Sequence, residues 1–441
     1  MDRAYLVGGC VRDALLGVPV KDIDVEVYGV SYEELCRILG KHGRVDLVGK
    51  SFGVIKLRLS DGETYDFSIP RRDSKIGQGH KGFEIQFDPD ITLEEATARR
   101  DFTINSLMWD PRKGELIDPH GGEADLQARI LRHTSDAFAE DPLRVLRGMQ
   151  FAGRFDLKAS PETLELCRGI VDSYLELAVE RVREEWFKWA SRSTKPSAGL
   201  RFLVDSGWVK HFPEIEALIG VPQDPEWHPE GDVFVHTCHC CDAMASLPAW
   251  QNQDEESRIV HMLAILAHDF GKPETTHEAE RKGRMRIVSP GHEPLGGPLS
   301  ENFLKRLDAP NAIRKRVPPL VMNHLVHTQP LSDKGVRRLA RRLHPESIEG
   351  LCLVVTADHM GRPPKPAAAP ESVECLMEMA KELSVYEEAP QPILKGRHLL
   401  AKGMSPGRGM GRILDAALEA QLEGEFTDME GAEEWLDRYL H

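Results

Sequence analysis

The stretch Leu6–Gly29 reads LVGGCVRDALLGVPVKDIDVEVYG, and it sets the expected architecture of the N-terminal third of the chain. A short apolar run, expected as strand Ala4–Val7, ends at Gly8 and Gly9. A helix is expected from about Val11, then a second strand over Asp22–Tyr28. Asp22 and Asp24 stand at i and i+2, which on a strand puts both carboxylates on one face. Two unpaired carboxylates that close repel, so a divalent cation is their natural partner, and hard oxygen ligands favour Mg2+. Such a pair can hold ions that activate an attacking hydroxyl and steady a leaving phosphate. Gly8 and Gly9, between strand and helix, would expose backbone N–H groups to triphosphate oxygens, with Arg12 placed for a charge-assisted contact. Taken alone, the same residues also suit an edge strand with its polar side chains outward.

Further strands are expected at Gly53–Leu59, Thr64–Ile69 and Glu115–Ile117. Beyond about residue 135 strand signals nearly vanish. Thr163–Asp172, Arg181–Ser191, Ser197–Asp205 and Pro310–His324 carry apolar residues at three- and four-residue steps, as amphipathic helices do. The expected class is α+β: a head with a mixed β-sheet and helices, followed by an all-helical body. Two loops punctuate it. Ile76–Gly82 has three glycines among basic residues and should be mobile, and Gly361–Pro370 is Pro/Ala-rich, as a stiff linker is.

At 441 residues the chain exceeds what one hydrophobic core supports. A formal charge of −15 argues against indiscriminate binding to a polyanion but leaves room for local basic patches. Two such patches stand out: Arg71 and Arg72 with Lys75, His80 and Lys81, and Arg337 and Arg338 with Arg341 and Arg342. Eight irregularly spaced cysteines and no signal peptide point to the cytoplasm, and no apolar run is long enough to span a membrane. The run His236-Thr-Cys238-His239-Cys240-Cys241 lacks a second Cys/His cluster at finger-like spacing, so its cysteines are expected to pack inside a helix.

Two more polar constellations follow the head strands. In RRDFTINSL, Arg99–Leu107, the polar residues Arg100, Asp101 and Asn105 are compatible with one helical flank, with Asp101 near a cap. In EDPLRVLR, Glu140–Arg147, a helix would place Asp141, Arg144 and Arg147 at i, i+3 and i+6 within one arc. A plain ion-pair face is one reading of that arc. Another is chemical. Cytosine and adenine both present an amino donor beside a ring-nitrogen acceptor, whereas uracil and guanine reverse the order. A carboxylate and a guanidinium side by side would therefore accept C and A, and the protein would act as its own template.

LVGGCVRDALLG with KDIDVEV, RRDFTINSL, DPHGGEADL and EDPLRVLR, in this order over about the first 155 residues, resemble the motifs of class II tRNA nucleotidyltransferases. That superfamily holds CCA-adding enzymes and bacterial poly(A) polymerases. The resemblance implies that Asp22 and Asp24 are the catalytic, metal-binding carboxylates. Gly9 and Arg12 would contact nucleotide phosphates, Arg100, Arg144 and Arg147 would complete the nucleotide site, and Asp141 beside Arg144 would read the base. Asp66, in TYDFSIP, is a further carboxylate whose role the motif does not fix. The segment Arg71–Gly82, followed by Phe83, is similar to the element that family members need for switching to A addition. The reaction implied is attack by the tRNA 3′-hydroxyl on the α-phosphate of CTP or ATP, with pyrophosphate leaving. An enzyme that adds only the terminal A carries similar template residues, so the sequence does not separate the two. A poly(A) polymerase or a nucleotide sensor with an inactive head are the remaining alternatives.

Further along, His236 in VFVHT, His268 and Asp269 in ILAHDFGK, and Asp358 in VTADHMGR resemble the HD phosphohydrolase signature. His and Asp side chains from several helices could hold one or two divalent metals and activate water. His292 in GHEPLG and His324 in NHLVHT are further candidate ligands. In HD-containing bacterial CCA enzymes the resemblance implies 2′,3′-cyclic phosphodiesterase and phosphatase activity with a transition metal such as Ni2+ or Mn2+. Gly396–Leu414 resembles the C-terminal element of many class II enzymes, departing from it at Arg408 and Gly409, and would contact tRNA backbone through Lys402, Arg408 and Arg412. The segments implied are a nucleotidyltransferase head over 1–135, a helical neck and body over 136–225, an HD domain over 226–362 and a helical tail over 363–441.

Overall fold

The computed structural model describes residues 3–20, 22–48, 53–75 and 83–441. The chain forms two compact units, Met1–Phe212 and Pro213–His441. In the first, the described residues up to position 120 form nine short strands: β1 Ala4–Val7, β2 Ile23–Val27, β3 Arg44–Val48, β4 Val54–Arg58, β5 Thr64–Ser68, β6 Arg71–Lys75, β7 Phe83–Phe87, β8 Met108–Asp110 and β9 Glu115–Ile117. Seven make one sheet in the order β3-β4-β5-β2-β1-β8-β9, and β6 and β7 pair separately as a ribbon. Only β2 and β5 run parallel within the large sheet, so it is mixed. The β-type runs at Ala4, Asp22, Gly53, Thr64 and Glu115 all became strands. The glycine-rich residues 76–82 lie outside the described residues.

Alternation along β2 separates two functions. Val25 and Val27 are buried against Leu35 and Leu39 of helix Tyr32–Leu39 and against Ile55 and Leu57 of β4. That leaves Asp22, just before the strand, with Asp24 and Glu26 on the other face. Each fully buried aliphatic here contributes about 1.5–3 kcal/mol. A one-residue slip would put carboxylates into that core, so the register is fixed by hydrophobic burial.

RRDFTINSL departs from the helical expectation. Helix Leu93–Ala98 stops at Arg99, and only Thr103–Asn105 makes a turn, of 3-10 type. Phe102 forms an isolated bridge with His133 instead, and Phe102, Ile104 and Leu107 are fully buried. Tertiary burial of three apolar side chains overrides the local helical pattern. Asp141 also lies outside its expected helix, which starts at Leu143 and runs to Phe155. That helix packs on Val179–Arg192 and Pro196–Asp205 around the buried Trp186 and Trp189. Gly148 makes the contact possible, because a Cβ there would lie 2.6 Å from the Phe202 ring.

The second unit is helical, with one hairpin, His277–Arg281 against Arg284–Val288. Helices Val233–Ser246, Glu255–Ala267, His292–Arg306, Asn311–Asn323 and Ile348–Met360 surround its histidine cluster. Cys238, Cys240 and Cys241 are buried inside the first of these, as the sequence suggested. Helices Arg408–Glu423 and Met429–Leu440 form a small C-terminal core around Ile413, Ala417, Trp435 and Leu436. Among the described residues, no helix is long and apolar enough to cross a membrane.

Candidate active sites

A cleft of about 520 Å³ opens on the carboxylate face of the first unit and is lined by Gly8, Gly9, Arg12, Asp24, Arg100, Asp101, Asn105, Asp141, Arg144 and Arg147, among others. Asp24 sits opposite Asp66 in the parallel register of β2 and β5. Neighbouring strands are about 4.8 Å apart. Two unit charges about 5 Å apart repel by about 3 kcal/mol at an effective dielectric of about 20. Burial first, then Asp66, pushes the Asp24 carboxyl above its ordinary range, and Asp22 adds to the effect against Arg100 and Lys56. Lys56 Nζ lies 3.4 Å from Asp66 Oδ1, an oxygen that is buried and accepts no hydrogen bond. Asp24 and Asp66, with Asp22 near enough to act on the Asp24 charge, make an all-carboxylate donor set of the kind that fits a hard divalent cation.

The glycine turn behaves partly as expected. Gly8 takes φ +69°, and a Cβ on it would lie 2.7 Å from Arg100 Nη1, so glycine admits that guanidinium over the turn. The Gly8 N–H, however, donates to Leu107 O at 2.9 Å. Of the pair, that leaves Gly9 as the candidate donor to an anion, since it opens helix Gly9–Leu15, where backbone donors have no intrahelical partner.

Three motifs that are distant in sequence meet in one hydrogen-bonded chain. Arg12 Nη1 donates to Asn105 Oδ1, Asn105 Nδ2 to Asp101 Oδ1 at 2.9 Å, and Arg147 Nε to Asp101 Oδ2 at 2.7 Å. Burial works against charge on Asp101, but Arg147, Asn105 and the Phe102 N–H outweigh it and hold the carboxyl below its usual range. Arg12, 4% exposed, also stacks over Phe155 at 4.5 Å. Arg144 is fixed by Nη1 to Ala137 O at 2.7 Å and Nη2 to Arg99 O at 2.6 Å, which leaves three of its five N–H donors. Asp141 lines the same cleft, but its Oδ2 is paired with Arg181 Nη2 at 3.2 Å rather than with Arg144.

Sequence reasoning missed Arg181, Lys188 and Arg192, which line this cleft from helix Val179–Arg192. Their signal was present: they lie at i, i+7 and i+11 on one stripe, beside the face that buries Val182, Trp186 and Trp189. It also missed Glu26, the third member of the i, i+2, i+4 series, which is buried and lies 3.4 Å from Arg99 Nη2 and 3.6 Å from Arg100 Nη2.

The second unit brings His236, His268, Asp269, His292, His324 and Asp358 together, all buried. Each imidazole is keyed by Nδ1. His268 donates to Ile265 O, His292 to Ser289 O and His324 to Val321 O, each at 2.7 Å, while His236 Nδ1 lies 2.8 Å from Glu230 Oε1. Four Nε2 atoms consequently face inward, His236 and His268 3.4 Å apart and His292 and His324 3.3 Å apart. Two pairs of inward imidazole nitrogens that close, with the Asp269 and Asp358 carboxylates beside them, make a donor set that fits a shared cation. Burial and the neighbouring His268 and His292 push His324 down to about 3, which keeps it neutral. Burial opposes charge on Asp269 and Asp358, yet His268 and Lys272 hold the first, and Arg362 and His236 the second, well below the carboxylate range. Asp269 lies between two donor groups, its Oδ2 3.1 Å from His268 Nε2 and its Oδ1 3.4 Å from His292 Nε2. A cleft of about 440 Å³ reaches this cluster past Trp227, Lys272 and Arg362. Cys240, His228 and Glu230 belong to the same neighbourhood and were not foreseen as such.

In the C-terminal segment, Lys402 Nζ is 2.5 Å from Asp437 Oδ1, while Arg408 and Arg412 are exposed in the first turns of helix Arg408–Glu423. The basic run on helix Asp333–Leu343 is partly neutralised, with Arg338 Nη2 2.6 Å from Glu419.

Residues 4–132 match the Poly A polymerase head domain family. The multifunctional CCA protein of Methylococcus capsulatus is 39% identical over 373 residues, 82% of this chain and 82% of that protein. The multifunctional CCA protein of Xanthomonas campestris pv. campestris is 38% identical over 428 residues, covering 94% of this chain and 97% of its own. Among solved structures, the Bacillus stearothermophilus CCA-adding enzyme in complex with CTP superposes with a TM-score of 0.64 at 20% identity, over 99% of this chain and 93% of that one. The Thermotoga maritima CCA-adding enzyme complexed with tRNA gives 0.58 at 20% identity, over 100% and 92%. At that identity the structural likeness speaks to the fold. The sequence relatives go further, because they align across nearly the whole length of the chain: it belongs to the family of multifunctional CCA proteins.

Proposed function

We propose that this chain is a tRNA nucleotidyltransferase that adds CCA to tRNA 3′ ends from CTP and ATP without a nucleic-acid template. The observation that carries the site assignment is the continuous Arg12–Asn105–Asp101–Arg147 network beside the Asp22, Asp24 and Asp66 carboxylates. Asp22 and Asp24 would hold Mg2+, with Asp66 as the auxiliary carboxylate, and the ion when bound supplies the positive charge that favours ionisation of the 3′-hydroxyl and offsets the leaving phosphate. Gly8 shapes the turn, Gly9 and Arg12 bind the triphosphate, and Arg100, Asp101, Asn105 and Arg147 complete the pocket. Asp141 accepts the exocyclic amino group of C or A, and Arg144 donates to the ring nitrogen with the N–H groups its carbonyl anchors leave over. The 3′-oxygen bonds to the α-phosphorus, the bond to the β-phosphate bridge breaks, and pyrophosphate departs. No side chain becomes covalently attached, so positioning and electrostatics supply the rate.

A second activity is favoured by the four inward Nε2 atoms of the second unit. His236, His268, Asp269 and Asp358, extended by His292 and His324, would hold a divalent transition metal such as Ni2+ or Mn2+, which when bound activates water for hydrolysis of a phosphoester. Lys272 and Arg362 at the cleft are suited to bind the substrate phosphate. Within this reading residues 1–135 are the catalytic head, 136–225 the neck and body, 226–362 the HD domain and 363–441 the tail, where Lys402, Arg408 and Arg412 contact the tRNA backbone. Eight cysteines without a disulfide suit a cytoplasmic enzyme.

The test uses three tRNA transcripts, ending before CCA, after C and after CC, with CTP, ATP or both. Completion of all three supports the reading. Addition of A to the CC end alone makes the protein an A-adding enzyme, and a long A tail on any RNA makes it a polymerase. Asp22→Ala with Asp24→Ala should abolish addition and spare hydrolysis of 2′,3′-cyclic AMP. His268→Ala with Asp269→Ala should do the reverse, and unchanged hydrolysis in that variant would reject the second site.

A further inference from the structure

Of the seven tryptophans, Trp227 alone is mostly exposed, at 56%. It lines the cleft that leads to the histidine cluster. Scattered exposed apolar side chains need no special cause, but this one is fixed in position. Asp224 O accepts the N–H of Trp227 at 3.1 Å and that of His228 at 2.8 Å, which closes a turn. Arg286, on the hairpin strand Arg284–Val288, clamps that turn through Asp224 Oδ2 at 3.3 Å and through Glu226. Lys365 Nζ donates to Trp227 O at 2.8 Å and lies 5.3 Å from the indole centroid, a cation–π contact that sets the ring's orientation. Lys365 is not part of the cleft lining, so it leaves the cleft side of the indole open.

The next residue, His228, stands edge-on to the imidazole of His236, with ring centroids 4.6 Å apart. The indole is thus one residue removed from a side chain packed on the metal-donor cluster. One cleft consequently joins two chemistries. The donor set with the cations Lys272 and Arg362 suits a phosphate. The open indole, with half-buried Ile287 and Val288 of the hairpin, suits a flat apolar ring. Inorganic phosphate or a small alkyl ester would use only the first. A nucleotide uses both, because its base carries a π-face one ribose away from the phosphate.

We propose that Trp227 is the base platform of the second site. The phosphoester hydrolysed there is a nucleoside phosphate, free or at an RNA 3′ end, whose base stacks on the indole while its phosphate meets Lys272 and Arg362. The inference rests on reading the cluster as a hydrolytic metal site and adds to it the residue that selects nucleotides over simple esters. Every base has a π-face, so the platform selects for a nucleoside and tolerates any letter. With a 2′,3′-cyclic phosphate, water adds to phosphorus, one ribose oxygen leaves and takes a proton, and a nucleoside monophosphate remains.

The test uses the full-length protein with Mn2+ or Ni2+ and compares 2′,3′-cyclic AMP with glycerol 1,2-cyclic phosphate, which has the same reacting ring and no base. Wild type should show a KM about tenfold or more lower for the nucleotide. Trp227→Ala should raise KM for 2′,3′-cyclic AMP roughly ten- to a hundredfold and erase that preference, while Trp227→Phe keeps most of it. A short RNA ending in a 2′,3′-cyclic phosphate is run in parallel. Whichever nucleotide has the lower KM identifies the source, and Trp227→Ala must weaken it. Without metal, 3′-AMP should quench tryptophan emission in wild type. That quench should be lost in Trp227→Phe while 3′-AMP still binds by calorimetry. Equal changes in KM for the nucleotide and the base-free ester, or no change in either, overturn the platform and leave the hydrolytic site standing. No hydrolysis of any of these substrates by wild type rejects the hydrolytic reading, and the platform with it.

Discussion

Asp24 and Asp66 occupy one register position on the parallel strands β2 and β5, so their carboxylates crowd the same face of the sheet. Burial and Asp66 raise the Asp24 carboxyl above its ordinary range, so the folded state binds that proton more tightly than the unfolded chain does. Metal-free stability is then highest at pH below the unfolded value and declines as pH rises through the raised folded value. Asp24→Asn should remove that loss and raise unfolding stability at neutral pH in chelator, on the order of 1 kcal/mol. The same change should lower CCA addition by roughly a thousandfold or more. Calorimetry with and without Mg2+ checks the sign: excess Mg2+ should stabilise wild type more than the variant.

The Asp101–Arg147 pair gives the opposite pH dependence. Asp101 is held ionised below its usual range, so its contribution is complete above the unfolded value and is lost as pH falls through the lower folded one. Asp101 is buried but Arg147 is 35% exposed, so Asp101→Ala should cost less than breaking a fully buried pair, about 1.5–3 kcal/mol at neutral pH. In urea unfolding, the gap between wild type and this variant should narrow as pH drops below about 4. A gap that stays constant to pH 3 would contradict the assignment.

Gly271 follows the His268-Asp269 pair, and a Cβ there would lie 2.2 Å from the backbone oxygen of His292. Gly271→Ala must therefore shift helix His292–Arg306 and its ligand. About 1–3 kcal/mol of destabilisation is expected, along with at least a tenfold loss of cyclic-phosphate hydrolysis and unaltered CCA addition. Parallel assays of both activities test this.

The C-terminal helices should respond to packing far more than to charge. Trp435 is buried against Phe426 in their small core, and Trp435→Ala should cost about 3–5 kcal/mol. Arg338→Ala, which removes exposed pairs with Glu419 and Glu423, should cost less than about 1 kcal/mol. Hydrogen exchange over residues 408–440 distinguishes them: rapid exchange in the tryptophan variant, near-native protection in the arginine variant.

Much of the head was legible because period-two alternation in β2 leaves few choices: once Val25 and Val27 are core, Asp22 and Asp24 must share the other face. RRDFTINSL was harder, because its apolar spacing suits a helix equally well, and only the bridge from Phe102 to His133, thirty-one positions on, fixes it as extended chain and turn. Short strands such as β3 and β8 carried too little pattern to be seen alone. The partnership of Asp141 with Arg181 depends on helix Val179–Arg192 folding back over the cleft, which local sequence does not encode. In the second unit the ligand types were visible, whereas the Nδ1 anchors that aim them depend on carbonyls three residues earlier in the chain and on Glu230.

Arg144 is tied to the carbonyls of Ala137 and Arg99, two points on different segments of the chain. If Arg144 reads the base as proposed, the letter this pocket writes is stored in the relative position of a 3-10 turn and a helix end rather than in one side chain. On that proposal, loosening either anchor would be felt first as spelling errors at the tRNA end, with wrong bases admitted at ordinary speed, before synthesis itself slowed.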